Sequence, residues 1–292
     1  MLKDSPDGRS AASAPIGVFD SGVGGLTVLK ELRRALPNES FVYLGDTARL
    51  PYGPKPRAMV RGFAHEIAHA LLARDVKAIV VACNTASAAA LPELADSMPV
   101  PTWGVVDPGV AAALAAAPGG RIGVLGTVGT VRSRVYQDRL ERSGATTWAQ
   151  PCPLFVPIVE EGVSDTAIAR LVASYYLEAR PALDAVILGC THYPALKGVL
   201  AEILGPVTLV DSGEAVAAAV RTDLARLQLL APATNTPTVR YIVTGDIPTF
   251  VHAAEMLGGP SGTFEHMNVA ELSHPASAST LGRAAAGTAG AS

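Results

Sequence analysis

Two cysteines, Cys83 and Cys190, stand where a short apolar run meets a polar turn and a helix start. The first context is Ala78-Ile79-Val80-Val81-Ala82-Cys83-Asn84-Thr85, the second Ala185-Val186-Ile187-Leu188-Gly189-Cys190-Thr191-His192. A thiol titrates near pH 8.5 when unperturbed, so near neutrality it can serve as base or as acid. Two thiols facing each other across a small cleft suit one reaction class: a carbon acid loses a proton to one thiolate and gains a proton from the other thiol on its opposite face, inverting the centre. A lone cysteine at a strand end reads as a small buried residue, but the same group placed twice in one setting reads as a working pair. The third cysteine, Cys152 in Pro151-Cys152-Pro153, has no matched partner and no neighbouring histidine, and reads as structural.

Other groups cluster at similar junctions. Asp20-Ser21-Gly22-Val23-Gly24-Gly25-Leu26-Thr27 follows the first apolar run, and its backbone amides can cradle an anion at the next helix start. It is not a dinucleotide fingerprint, since Thr27 stands where a third glycine would, and no Gly-Lys-Ser/Thr follows to make a P-loop. Asp20, at the strand's carboxyl end, is a candidate functional carboxylate. His192 lies two residues after Cys190, where it can assist that thiol or donate to a carboxylate. Asn84 or Thr85 can cap the helix that follows Cys83, and Pro194 suits a first helical turn after Cys190. A helix N-terminus there would lower the thiol pKa and favour a bound carboxylate. Pro51-Tyr52-Gly53 reads as a tight turn offering amides and a phenol. His65-Glu66-Ile67-Ala68-His69 matches the zinc-protease pattern H-E-x-x-H, but it falls within a helix between strands and has no third ligand. It reads as a solvated helix face, and no metal is expected.

These groups need a scaffold, and the chain alternates strand-length apolar runs with helical segments. Strands are expected at 16–19, 41–44, 78–82, 122–125 and 185–188, and helices at 26–36, 58–73, 133–143 and 166–180. Continuous apolar strands alternating with helices mean parallel sheets covered on both faces. The halves also repeat. Ile16-Gly17-Val18-Phe19 is echoed by Ile122-Gly123-Val124-Leu125 at an offset of 106, Cys83 by Cys190 at 107, and Val105-Val106-Asp107 by Leu209-Val210-Asp211 at 104. Three landmarks in one order at nearly one spacing indicate a duplicated α/β unit. Ligands in open α/β sheets sit beyond the carboxyl ends of the strands, so two such units facing each other would bring both cysteine loops to one cleft.

Composition sets the outer bounds. The 292 residues, 49% hydrophobic and 17% charged, suffice for one large or two medium globular domains. A net charge of −3 gives no reason to expect nucleic-acid binding, and no uncharged stretch reaches the ~18 apolar residues of a membrane span. Three cysteines make no disulfide framework, and residues 1–14 are polar with no apolar core of a signal peptide. A reducing cytoplasm is therefore expected. The C-terminal stretch from about Ser273 is of low complexity and is expected to be disordered.

Taken together, four signatures resemble the glutamate racemases, cofactor-independent enzymes of the aspartate/glutamate racemase group: Val18-Phe19-Asp20-Ser21-Gly22-Val23-Gly24-Gly25-Leu26-Thr27, Leu44-Gly45-Asp46-Thr47-Ala48-Arg49-Leu50-Pro51-Tyr52-Gly53, Ala82-Cys83-Asn84-Thr85-Ala86-Ser87 and Leu188-Gly189-Cys190-Thr191-His192-Tyr193-Pro194. The likeness runs from about Pro15 to Val269, and its last signature separates the chain from the more loosely similar aspartate racemases. It implies two pseudo-symmetric α/β domains, each a mostly parallel sheet flanked by helices, with glutamate bound in the cleft between them. The expected division is 15–106 plus 214–272 for the first domain and 107–213 for the second, with 1–14 and 273–292 as disordered extensions. It further implies Cys83 and Cys190 as the acid/base pair, with Asp20 and His192 as auxiliaries and Glu160 as a further carboxylate. Ser21, Pro51, Tyr52, Gly53, Asn84, Thr85 and Thr191 would hold the substrate, with contributions from Thr127 and Thr130. No cofactor is implied. The product would be D-glutamate for peptidoglycan in a bacterial cytoplasm, and a homodimer is the assembly usual in the family. Three other readings stay open at this point: a racemase for aspartate or another amino acid, a non-catalytic amino-acid binding module, and a zinc hydrolase using His65 and His69.

Overall fold

The computed structural model describes residues 11–255, 257 and 262–273. The termini expected to be disordered lie outside these residues for the most part, but both ends of the described chain are ordered further than expected. Ala11–Ser13 form a 3-10 turn whose Ala12 carbonyl accepts from the Lys77 ammonium, and the last helix runs through Ser273.

Among the described residues ten strands follow in chain order: β1 (Ile16–Asp20), β2 (Phe41–Gly45), β3 (Ala78–Val81), β4 (Thr102–Gly104), β5 (Arg121–Gly126), β6 (Thr146–Pro151), β7 (Ala185–Gly189), β8 (Thr208–Asp211), β9 (Val239–Val243) and β10 (Thr263–His266). The helices between and after them are α1 (Leu26–Ala35), α2 (Arg57–Leu72), α3 (Asn84–Ser97), α4 (Val106–Ala116), α5 (Val128–Arg132), α6 (Val135–Arg142), α7 (Phe155–Glu160), α8 (Ala167–Leu177), α9 (Lys197–Leu204), α10 (Ser212–Arg226), α11 (Ile247–Glu255) and α12 (Val269–Ser273). The strands form two sheets, β10-β9-β2-β1-β3-β4 and β6-β5-β7-β8, parallel throughout. The internal order β2-β1-β3-β4 is repeated by β6-β5-β7-β8, and the registers agree: Ile16 pairs with Ala78, and its counterpart Ile122 with Ala185. The duplication read from the offsets is thus a duplication of strand order.

Each sheet is buried on both faces, as its continuous apolar strands require. Successive residues of β3 divide between two cores, Ile79 and Val81 on one face and Ala78 and Val80 on the other. In the second sheet Val186 and Leu188 of β7 enter one core, and Ala185 and Ile187 the other. Helix α10 follows β8 of the second sheet, yet it buries Val216, Val220 and Leu224 in the core of the first. It begins where the Asp211 carboxylate caps the amides of Gly213 and Glu214. Most expected elements appear within a residue or two. The helix expected at 133–143 is α6, and it is preceded by a short α5 that the sequence pattern did not mark; Arg134, whose φ of 57° lies in the left-handed region, separates the two. Among the described residues no helix is long and apolar enough to cross a membrane.

One charged pair lies inside the first unit. The Lys77 ammonium and the Glu39 carboxylate are 2.6 Å apart with side chains 1% and 2% exposed, and Glu39 also accepts from the Ala231 amide. Burial pulls the Lys77 pKa down while Glu39 opposes the shift. Removing one member of such a pair leaves a buried charge uncompensated. Lys77→Met is expected to lower the unfolding free energy by about 3–5 kcal/mol in urea denaturation, whereas a loss below ~1 kcal/mol would be that of an exposed pair.

Candidate active site

The parallel strands deliver their carboxyl ends to one place. Asp20 is the last residue of β1, Cys83 lies two residues past β3, Thr127 follows β5 and Cys190 follows β7. A cavity of about 220 Å³ lies among these ends, below the ~300–1,000 Å³ of sites for drug-sized ligands, so it admits only a small metabolite. Both thiols line it, Cys83 from the first sheet and Cys190 from the second, together with Ser21, Pro51, Tyr52, Gly53, Asn84, Thr85, Thr127, Glu160, Thr191 and His192. Two expected site residues stand behind the wall instead. Asp20 is fully buried beneath the Ser21–Gly22 turn, and Thr130 is fully buried behind Thr85 and Thr127. Gly22, Leu50, Val156 and Pro157 line the cavity without having been read from the sequence. Val156 and Pro157 sit four and three residues before Glu160 on α7, so they share its helix face. That spacing is a usable signal once a helix is assigned there.

The Cys83 end differs from expectation at the cap. Neither Asn84 nor Thr85 caps α3. Cys83 does so itself, with extended backbone (ψ 120°) and its sulfur accepting from the Ala86 amide at 3.4 Å. Asn84 therefore becomes the first helical residue, and its side chain is free to reach the other half of the molecule. The Cys83 thiol also donates to Ser21 Oγ at 3.8 Å. The helix start does not depress this thiol as expected. Burial first and the Asp20 carboxylate second push it up to about 12, against the opposing pull of the Ala86 amide and Ser21. Asp20 is itself raised by burial, opposed by His192 and the amides of Gly22, Gly25 and Ser21. A neutral Cys83 thiol beside a buried carboxyl is a proton donor with an acceptor behind it.

The Cys190 end carries a different set. Its sulfur is 3.8 Å from His192 Nδ1, and His192 Nε2 is 2.9 Å from Glu160 Oε1. Burial works against the imidazolium here. The hydrogen bonds to the Cys190 sulfur and the Glu160 carboxylate outweigh it and hold His192 well above its ordinary value of 6.5, at about 10. Glu160 is placed by aromatic packing: Phe155, at the start of α7, meets Tyr193 edge-on at 5.2 Å and Tyr176 at 5.3 Å. The Tyr193 hydroxyl donates to the Cys152 carbonyl. The expected helix after Cys190 is a 3-10 turn, Tyr193–Leu196, before α9 begins.

Close approach joins the two halves around the cavity. A Cβ at Gly24 would stand 2.3 Å from Thr191 Oγ1 and 2.5 Å from the His192 ring, so only glycine fits. Gly129 donates its amide to the Gly53 carbonyl at 2.8 Å, and a Cβ there would strike that oxygen. Thr27 Oγ1 donates to the Thr191 carbonyl at 2.8 Å, and the hydroxyls of Thr85 and Thr127 lie 2.8 Å apart. The Tyr52 phenol, expected to face the site, is buried and bound to Asp46, so the Pro51–Gly53 turn offers backbone and ring surface rather than a hydroxyl. Asp46 also accepts from Arg49 at 2.7 Å and Thr244 at 2.9 Å, holding this turn to the end of β9. His65 and Glu66 lie on α2, away from the cavity, paired with Glu93 and Arg49, while His69 is exposed. Cys152 is buried with its thiol directed at the Gln150 carbonyl.

No lysine or arginine lines this cavity among the described residues. A carboxylate bound here would be met by backbone amides, hydroxyls, the Asn84 amide and the His192 ring. Sulfurs on two sides, each with its own partners, can withdraw a proton from one face of a small carbon acid and return one to the other.

Residues 16–220 match the family model described as Asp/Glu/Hydantoin racemase. A glutamate racemase of Thermus thermophilus is 53% identical over 260 residues, spanning 89% of this chain and 98% of that protein. The crystal structure of glutamate racemase from Thermus thermophilus in complex with β-chloro-D-alanine superposes with a TM-score of 0.84 at 50% identity, covering 89% of this chain and 99% of that one. The Francisella tularensis glutamate racemase in complex with D-glutamate gives a TM-score of 0.82 at 36% identity, covering 88% and 98%.

The raised His192 pKa has a thermodynamic consequence. Between 6.5 and about 10 the folded chain holds a proton at His192 that the unfolded chain has released. The stability from this group is therefore complete below pH 6.5 and is lost as pH rises through the folded-state value. Urea midpoints of wild type and His192→Asn across about pH 6 to 10.5 are expected to converge as pH rises, with wild type falling faster. Parallel curves would mean that His192 does not hold its proton.

Proposed function

The chain belongs to the Asp/Glu/hydantoin racemase family, and from that premise we propose that it interconverts L- and D-glutamate by proton transfer at Cα between two thiols. The observation that carries this reading is the placement of Cys83 and Cys190 on one small cavity from equivalent positions of the two sheets. In the L-to-D direction the Cys190 thiolate, paired with the His192 imidazolium, takes the Cα proton. The electron pair left on Cα is delocalised into the α-carboxylate, and the Cys83 S–H delivers its proton to the opposite face. The step ends with a Cys190 thiol and a Cys83 thiolate, the reactants of the reverse direction. His192 and Glu160 hold the proton inventory on one side, and Asp20 on the other.

The asymmetry of the two ends supports this assignment. A thiol pushed up to about 12 is suited to donate, and a sulfur beside a protonated imidazole is suited to accept. Ser21, Asn84, Thr85, Thr127, Thr191 and the amides of the Pro51–Gly53 turn hold the carboxylates and the ammonium, with Thr130 bracing the two threonines from behind. The bound small molecule is read as glutamate, its D form as a peptidoglycan building block, the compartment as the cytoplasm and the assembly as a homodimer, the last to be tested by sedimentation.

In deuterium oxide, L-glutamate is expected to lose optical rotation and take up deuterium at Cα. Turnover of L-aspartate alone would sink the glutamate reading, and tight binding of glutamate without exchange would favour a binding module. Cys83→Ser and Cys190→Ser are each expected to cost about 10²–10⁴-fold in turnover, with primary isotope effects that differ between the antipodes: Cys190→Ser slows abstraction from the L form, and Cys83→Ser abstraction from the D form. Equal isotope effects for both substrates in both variants would exclude the division of labour.

A further inference from the structure

Asn84 is 2% exposed and lines the cavity. Its Oδ1 accepts a hydrogen bond of 2.6 Å from the Tyr136 hydroxyl, while its Nδ2 is buried with no partner. Two other described side-chain atoms share that condition, Arg49 Nη2 and Gln137 Oε1, but neither residue lines the cavity. A buried donor left unpaired is costly, and a donor in that state on the wall of a cavity with no lysine or arginine points to an anionic ligand group. Tyr136 comes from the other half of the molecule, on α6, is fully buried and does not touch the cavity. Ser212 also approaches the phenol, but its own hydroxyl hydrogen is directed at the Leu188 carbonyl. The phenol donates at 2.6 Å to Asn84 Oδ1. A carboxamide has one acceptor end and one donor end, so occupying the first leaves the second as the end available to a ligand.

We propose that Tyr136 is a positioning residue that sets the polarity of the Asn84 carboxamide, so that its N–H, and not its carbonyl, meets a substrate carboxylate. The two partners belong to opposite halves, so the donor is presented correctly only when those halves are together. This rests on the reading of the substrate as glutamate. Without the phenol the carboxamide is free to rotate and present its oxygen, repelling the anion. Binding is then weakened, while the sulfurs that move the proton are untouched.

The test is steady-state kinetics in both directions on Tyr136→Phe, Asn84→Ala, the double variant and Asn84→Asp, with thermal melting of each. Tyr136→Phe is expected to raise KM for both antipodes about tenfold, the scale of one lost charge-assisted hydrogen bond, with kcat within about threefold of wild type. Because Tyr136 acts through Asn84, the double variant is expected to match Asn84→Ala, a non-additive pair. A wild-type KM in Tyr136→Phe, or KM effects that multiply in the double variant, overturns the proposal. If Tyr136→Phe fails to fold, Asn84→Asp decides: it keeps the acceptor for Tyr136 but has no N–H, so a KM raised at least about tenfold supports the proposal and an unchanged KM overturns it. Wild type assayed on L-glutamate and L-aspartate separates the two levels. Turnover of aspartate alone overturns the substrate reading, and the same KM comparison made on aspartate still decides the role of Tyr136.

Discussion

Everything at the site depends on how closely two parallel sheets bring their carboxyl ends together. The contact is made where side chains are smallest, with Gly24 against Thr191 and His192 and Gly129 against Gly53. Any Cβ at Gly24 would stand inside the space of the His192 ring, so the distance between the halves is set by glycine and not by a tunable side chain. Both thiols face one cavity because of that approach, and the space between them is limited to about 220 Å³.

The same closeness governs the electrostatics. Burial and the Asp20 carboxylate lift Cys83, which keeps the first half's thiol protonated, while the Cys190 sulfur and Glu160 hold a protonated imidazole at His192 in the second half. The halves are alike in strand order but not in charge, and the difference arises from what each loop carries after its cysteine. Asn84 and Thr85 open a helix after Cys83, whereas Thr191 and His192 open a 3-10 turn after Cys190. An environment of this kind treats the two faces of a chiral carbon differently even though the backbone around them is duplicated.

Much of the fold was legible because its strands are buried on both faces and so appear as unbroken apolar runs, such as Ala78 to Val81 and Ala185 to Gly189. Less regular pieces were harder to see. The break at Arg134 rests on a left-handed backbone that no glycine or proline announces. The strand β6, Thr146–Pro151, has no fully buried residue and no apolar run to mark it. Within the site, residues next to a cysteine were readable from their loop, but Val156 and Pro157 join the cavity through α7, a short helix that the apolar pattern did not mark.

The types and spacing of the residues were sufficient for the two thiols, the repeat that makes them equivalent, and the loops that carry Asp20 and His192, since local pattern encodes strand ends and the chemistry that follows them. Which groups work together depended on packing between distant segments. Cys83 became its own helix cap and Asn84 was released to meet Tyr136, 52 residues away on the other half. The Tyr52 phenol turned from the cavity to Asp46, and Cys83 was raised rather than lowered. Each of these outcomes turns on desolvation and on hydrogen-bond partners brought in by tertiary contact, quantities that have no counterpart in the order of residues along the chain.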